Sequence, residues 1–319
     1  MVSTWLVTGG AGYIGSHTVR ALRARGDDVV VLDDLSSGLV DRVGDAELVR
    51  ASVLDTDAVA EALRAHRVSG VMHLAAKKSA PESVGAPLYY WHENIGGLRS
   101  LMAAMATAGV ERLVYTSSAA VYGAPAVETV TEDTPCVPLN PYGTTKLAGE
   151  WMVAEQARAT GLRAAALRYF NVAGTAETRL ADRGKANLVP IAMDAVAAGR
   201  RPPVTGTDFD TTDGSGVRDY VHVEDVAEAH AAVADVLTPG LRVYNVGVGR
   251  GHSVLEVLAE IARASGLPVD PELTDRRPGD AARCVADVSR IQADLGWSAR
   301  HDLASIIASA WAAREANAG

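Results

Sequence analysis

One short stretch constrains this chain more than any other. Thr8-Gly9-Gly10-Ala11-Gly12-Tyr13-Ile14-Gly15 sets Gly9, Gly12 and Gly15 at three-residue spacing, directly after the apolar run Trp5-Leu6-Val7-Thr8. In a strand–turn–helix unit, the first glycine permits the tight turn. The second lets the backbone approach a pyrophosphate, and the third allows close helix–strand packing, with the phosphate at the helix N-terminus. The spacing is G-x-x-G-x-x-G rather than G-x-G-x-x-G, so the surrounding context carries the reading. That context is present. A helical pattern follows near Ile14–Arg25, then a second apolar run, Val29–Leu32, ends in Asp33 with Asp34 beside it. A carboxylate at that place hydrogen-bonds both ribose hydroxyls of a dinucleotide and repels a 2′-phosphate. No arginine lies in Asp33–Gly38 to welcome one. NAD is therefore expected over NADP.

Further apolar runs at Val71–Leu74, Leu113–Thr116 and Ala165–Tyr169 alternate with helical patterns. Continuous apolar strands between helices describe a parallel sheet covered on both faces, hence a Rossmann-type, doubly wound α/β domain. After about Gly174, proline, glycine and charged residues become frequent. Helical patterns at Val223–Leu237 and Val254–Ser265 bracket a short strand at Arg242–Val246. We expect a dinucleotide-binding domain over 1–174 and a smaller mixed α/β substrate domain over 175–319, with segments near 218–246 returning to the first. The length of 319 residues suits about two domains. The formal charge of −9 argues against a nucleic-acid partner, and two cysteines exclude a disulfide scaffold. The first residues lack a basic stretch followed by an apolar core, and no apolar run approaches the ~18 residues of a spanning helix. A cytoplasmic enzyme with no membrane partner is expected.

Tyr142 and Lys146 in Tyr142-Gly143-Thr144-Thr145-Lys146 fall on one helix face, with Pro141 suited to the helix start. A tyrosine with a pKa near ~10 is a poor base at neutral pH, but an adjacent ammonium and a positive nicotinamide favour the phenolate. The phenolate then takes a proton from a substrate hydroxyl while hydride leaves the carbon that bears it. Upstream, Ser118 follows the Leu113–Thr116 run at a carboxyl strand end, where its hydroxyl can hold or relay the substrate proton.

Together these residues resemble the extended short-chain dehydrogenase/reductases, and within them the nucleotide-sugar 4-epimerases. The likeness runs through Thr8–His17, His73–Val84, Thr116–Gly123, Asn140–Lys146, Leu167–Asn171, Asp213–Val223 and Arg277–Asp280. It implies an isomerase with tightly bound NAD, interconverting UDP-glucose and UDP-galactose through a 4-keto intermediate. Ser118, Tyr142 and Lys146 would be catalytic. Tyr13, Ile14, Asp33, Asp34, Leu35, Ser36, Ser37, Gly38, Leu74, Ala75, Ala76, Lys78, Asn94 and Phe170 would line NAD. Ser52 and Val53 stand where the family often has Gly-Asp, so the adenine contact would come from a hydroxyl. Asn171, Asn187, Leu188, Arg218, Val254, Arg277 and Asp280 would hold the UDP-sugar. Guanidinium groups bind phosphate bidentately, which suits Arg218 and Arg277 to a pyrophosphate in an otherwise acidic protein.

The related 4,6-dehydratases need an acid pair where this chain has Ala119-Ala120, and related decarboxylases carry Glu where it has Ala120. Cys284 falls where the family gates its sugar pocket. A small residue there leaves room for a 2-N-acetyl group, so UDP-GlcNAc and UDP-GalNAc are expected as further substrates. UDP-glucuronate epimerases are the nearer alternative, although Asn171 replaces their usual Thr. A non-catalytic NAD-sensing protein is the remote one, against which the Tyr–Lys pair speaks. The family implies a homodimer through helices near Ile95–Ala108 and Thr145–Ala159, with Leu98, Leu101, Met102 and Met105 as an apolar seam. Cys136, between two prolines, has no assigned role.

Overall fold

In the computed structural model, which describes residues 3–184, 187–276 and 280–318, the apolar runs become strands. Thr4–Thr8 (β1), Asp28–Asp33 (β2), Glu47–Arg50 (β3), Gly70–His73 (β4), Arg112–Ser118 (β5) and Arg163–Tyr169 (β6) join Gly240–Val246 in a seven-stranded sheet. From one edge the order is Gly240–Val246, β6, β5, β4, β1, β2, β3. Strand β1 pairs in parallel with both β2 and β4. Strands β2 and β3, and β4 and β5, are parallel as well. The strand order reverses beside β1, and in such a sheet ligands bind outside the carboxyl ends at that switch point. Trp5, Leu6 and Val7 are wholly buried, because a central strand is covered on both faces.

The chain divides into two compact units. One comprises residues up to Val121, Pro138–Arg168 and Ala227–Tyr244. The other comprises Tyr122–Val137, Tyr169–Val226 and the chain from Asn245 on.

The first unit carries the sheet and a core that includes Leu6, Val30, Leu63, Leu101, Met105, Leu113 and Val153. The helix expected near Ile95–Ala108 is a wide π turn, Trp91–Gly96, running into Gly97–Ala108. Its apolar stripe, Leu98, Leu101, Met102 and Met105, packs in this core at 0, 0, 8 and 2 % exposure. These residues therefore cannot form a subunit seam. The helix Thr56–Ala65 and strand β3, for which no expectation was set, complete the far side of the unit. β3 is half-exposed, so its apolar alternation is short.

Local chemistry sets the ends of the long helix Pro141–Thr160. Asn140 accepts the Gly143 N–H at 2.9 Å, Pro141 sits in the first turn, and Gly161 stops the helix in the left-handed region.

In the second unit, Gly251–Ser253, Val217–His222 and Arg283–Cys284 form a small sheet, and Asn171–Ala173 also pairs with Val217–His222. Its core gathers Val189, Met193, Tyr220, Val257, Ile261, Ile306, Ile307 and Trp311. A Ser253–Glu256 capping box starts the helix Val254–Ser265. His222 accepts the Glu224 N–H at Nδ1, meets Ser309 at Nε2 and stacks on His301, fixing the C-terminal helix Leu303–Ala318 to the sheet. Arg218 lies within the strand Val217–His222. The glycines Gly214 and Gly216 stand close before it, and the turn they make ends where the strand begins.

Candidate active site

The glycine turn is shaped by contacts that only glycine allows. Gly9 takes φ +70°, and a Cβ there would meet the Ala75 backbone nitrogen at 2.7 Å. A Cβ on Gly15 would lie 2.1 Å from the Gly9 carbonyl oxygen, so the helix can seat against the turn only without a side chain. The helix Tyr13–Ala24 begins at Gly12 with no side-chain cap and no acidic residue in its first turn. Its positive end is left for an anionic group.

Asp33, at the carboxyl end of β2, closes this turn. Its carboxylate accepts the Ala11 N–H at 3.0 Å and the Leu35 N–H at 2.8 Å. Burial raises its pKa against those two hydrogen bonds. Asp34 instead turns back on its own loop and accepts the Ser36 N–H. Leu35, at φ +61°, Ser36, Ser37 and Gly38 continue the loop, with Gly38 close against Asp33 and Ala11. Leu74, Ala75 and Ala76 follow β4. The Leu74 N–H donates to the Thr8 carbonyl, and the Ala75 N–H to the Thr8 hydroxyl. Tyr13 is buried and Ile14 half-buried, while Lys78 lies 6.0 Å from the Tyr13 ring centre. The Ser52 hydroxyl accepts the Leu54 N–H, and Val53 packs on the core beside Gly97.

Asn94 is carried on the π turn, a wide turn often found at functional sites. It is buried and tied both ways. Its Oδ1 accepts the Lys77 N–H at 2.8 Å, and its Nδ2 donates to the Lys77 carbonyl and to Thr145 Oγ1. Thr145 in turn donates to the Tyr142 carbonyl. Asn94 thus fixes the first turn of the Tyr–Lys helix against the loop after β4.

Ser118, at the end of β5, lies beside the Tyr142 phenol. Burial raises the Tyr142 pKa, and the Ser118 hydroxyl opposes the rise. Lys146 is buried one helical turn on, 6.0 Å from the Tyr142 ring centre and 5.3 Å from that of Tyr115. Its ammonium donates to the Thr116 carbonyl at 2.8 Å. Burial lowers its pKa to about 7, against an opposing pull from Glu150.

Several neighbours were not singled out from the sequence. His73 lies beneath, stacked on Tyr115, with Nδ1 2.8 Å from Thr8 Oγ1. Burial and Lys146 push its pKa down to about 3, so it is neutral at physiological pH. Glu150 and Arg168 form a buried bidentate ion pair, and Ser117 donates to the same carboxylate. The sequence held one clue to Glu150: it stands four residues after Lys146 and eight after Tyr142, on the same helix face.

The second unit holds the remaining expected residues. Arg218 and Cys284 are register partners in neighbouring strands, and Asn171 pairs with Tyr220 in the same sheet. Cys284 is buried, which pushes its thiol up to about 11. Val254 begins its helix beside that sheet, its N–H donating to the Gly216 carbonyl. Asn187 precedes the helix Leu188–Ala197 and donates to Asp182, while Leu188 packs on the core. Phe170 is buried near Tyr122, and Asp280 is exposed. Arg277 lies outside the described residues. Cys136 is half-buried, its sulfur 3.8 Å from the Thr134 carbonyl.

Known proteins match this arrangement along its length. The sequence pattern of the NAD dependent epimerase/dehydratase family covers residues 5–247. A UDP-glucose 4-epimerase of Azospirillum brasilense is 44 % identical over 305 residues, covering 93 % of this chain and 87 % of that protein. The crystal structure of a UDP-glucose 4-epimerase from Stenotrophomonas maltophila, with bound NAD and formylated UDP-arabinopyranose, superposes at a TM-score of 0.95. It is 37 % identical and 99 % of each chain is covered. One from Bifidobacterium longum, in complex with NAD+ and UDP, gives 0.94 at 36 % identity, again with 99 % of each chain covered.

Proposed function

The chain belongs to the NAD dependent epimerase/dehydratase family, and from that membership we propose that it interconverts UDP-glucose and UDP-galactose through a 4-keto intermediate. The observation that carries this reading is the cluster of Ser118, Tyr142 and Lys146, set in the same unit as the glycine turn and Asp33. Bound NAD would supply the hydride chemistry at the sugar C4. Its fit rests on the turn that a Cβ at Gly9 or Gly15 would fill, on the uncapped helix start, and on Asp33.

Tyr142 takes the proton from the 4-hydroxyl, and Ser118, beside the phenol, orients that hydroxyl. Lys146 stabilises the phenolate by its positive charge in a site of low dielectric. The same groups return the proton after the keto sugar turns over, so no further acid or base is required. Two alanines, Ala119 and Ala120, follow Ser118. They offer no carboxyl groups for eliminating water.

Asn171, Arg218 and Cys284, on one small sheet of the second unit, are proposed to meet the nucleotide and the sugar, with Asn187, Leu188, Val254, Arg277 and Asp280 around them. The small Cys284 side chain supports acceptance of UDP-GlcNAc and UDP-GalNAc. A homodimer is proposed as well. The exposed Leu88, Trp91 and Trp151 support it better than the buried stripe of the Gly97–Ala108 helix, and sedimentation measures it.

The deciding experiment is Tyr142→Phe, assayed on UDP-glucose with the bound nucleotide measured alongside. The proposal expects retained NAD and lost turnover. A variant within tenfold of wild type would overturn it.

A further inference from the structure

Glu150 has no part in the chemistry described so far, yet it is placed where it can govern that chemistry. Its carboxylate is 5 % exposed and accepts two hydrogen bonds from Arg168, at 2.9 and 2.7 Å. Ser117 donates to the same group. Ser117 stands between Thr116, whose carbonyl receives the Lys146 ammonium, and Ser118, which lies beside the Tyr142 phenol. One carboxylate thus anchors the strand end that holds both catalytic partners. It also sits one helical turn beyond Lys146, on the side away from Tyr142. Buried charges interact strongly because little water screens them.

We propose that Glu150 is a positioning residue for proton transfer: held by Arg168 and Ser117, its carboxylate keeps the Lys146 ammonium charged beside the Tyr142 phenol and fixes the end of β5 that presents Thr116 and Ser118. Among the described residues, Tyr142 and Glu150 face Lys146 from its own helix, Tyr115 from β5 and His73 from β4, while Arg168 of β6 is paired with Glu150. His73 and Tyr115 are neutral near pH 7, which leaves Glu150 as the anion that supports the ammonium.

The proposal deepens the assignment of Tyr142 as the base and rests on it. On this assignment the useful form of the Tyr142–Lys146 pair carries a single proton, on the lysine. Removing the negative charge of Glu150 lowers the proton affinity of its neighbours. The pH–rate profile then moves as a whole toward acid. The maximal rate falls as well, by about tenfold for each unit that Lys146 is lowered, because the neutral pair gains at the expense of the charge-separated one.

The experiment records kcat against pH for wild type, Glu150→Gln and Glu150→Asp, purified with their nucleotide, with NAD content and KM for UDP-glucose measured on each. Glu150→Gln is expected to keep NAD and KM, to lose about tenfold or more in kcat, and to shift its profile toward acid by on the order of one unit. Glu150→Asp keeps the charge and draws it back, so its profile stays near wild type with a smaller loss. Should Glu150→Gln fail to fold, Glu150→Asp still decides: a profile displaced as far as a neutral residue would displace it contradicts the proposal. A loss of kcat with unmoved limbs in Glu150→Gln means the residue only holds the fold, and overturns it. Turnover in Tyr142→Phe overturns the assignment of the base instead, so the two failures are told apart.

Discussion

The two units prepare their sites in different ways. In the first, Asp33, Asn94 and Lys146 are buried and already engaged by protein groups. Asp33 holds two backbone N–H groups, Asn94 ties two segments together, and Lys146 is fixed to a strand carbonyl. In the second, Asn171, Asn187 and Asp280 are exposed, and the Arg218 guanidinium turns back on its own neighbour's carbonyl. Hydride and proton transfer need near-attack geometry fixed within fractions of an ångström, so their partners are built into a sheet end. A nucleotide diphosphate and a sugar tolerate softer handling, since guanidinium and amide groups can close on them as they arrive. On the proposed assignments, the difference separates a preorganised reaction centre from an adaptable grip.

That contrast is open to measurement, beginning with the largest expected effect. Tyr142→Phe removes the base and is expected to lower kcat by about 10² to 10⁴ while NAD stays bound. An equally large rise in KM would assign the phenol to the grip. Arg218→Met removes the cation proposed to meet the pyrophosphate, and KM for UDP-glucose should rise about tenfold to a hundredfold with kcat nearly kept. A collapse of kcat instead would make the second unit part of the reaction centre. Gly15→Ala forces a methyl group against the Gly9 carbonyl, so the helix must move. Stability should fall by about 1–3 kcal/mol and bound NAD should be lost with it, as read by denaturant melts and nucleotide release. The smallest effect on the natural hexoses is expected of Cys284→Tyr, which should leave UDP-glucose conversion within a few-fold and abolish conversion of UDP-GlcNAc. Proportional retention of N-acetyl activity would remove Cys284 from the specificity question.

The same contrast governs what the chain disclosed without its structure. The glycine turn was legible because Gly9 and Gly15 answer to backbone geometry, and spacing alone reports such constraints. Tyr142, Lys146 and Ser118 were legible because helix periodicity and strand ends place side chains predictably. Arg168 was not legible: its partnership with Glu150 joins residues from a strand and a helix and has no spacing of its own. His73 was hidden for a similar reason, since its burial beneath Tyr115 depends on how β4 and β5 align. The apolar stripe at Leu98–Met105 showed correctly that one face of the helix is covered. Periodicity does not say by what, and the cover is the unit's own core rather than a second subunit. In the second unit, strands of two or three residues such as Arg283–Cys284 and Gly251–Ser253 leave no periodic pattern, so the sheet that brings Arg218 beside Cys284 emerged only from the structure.

The central claim is that the proton of the 4-hydroxyl and the hydride of C4 leave and return within the protein. It is tested most directly by converting UDP-glucose that carries deuterium at C4, with no cofactor added. The account predicts UDP-galactose that retains the deuterium at C4 through many turnovers. Replacement of that label by hydrogen from water would contradict it.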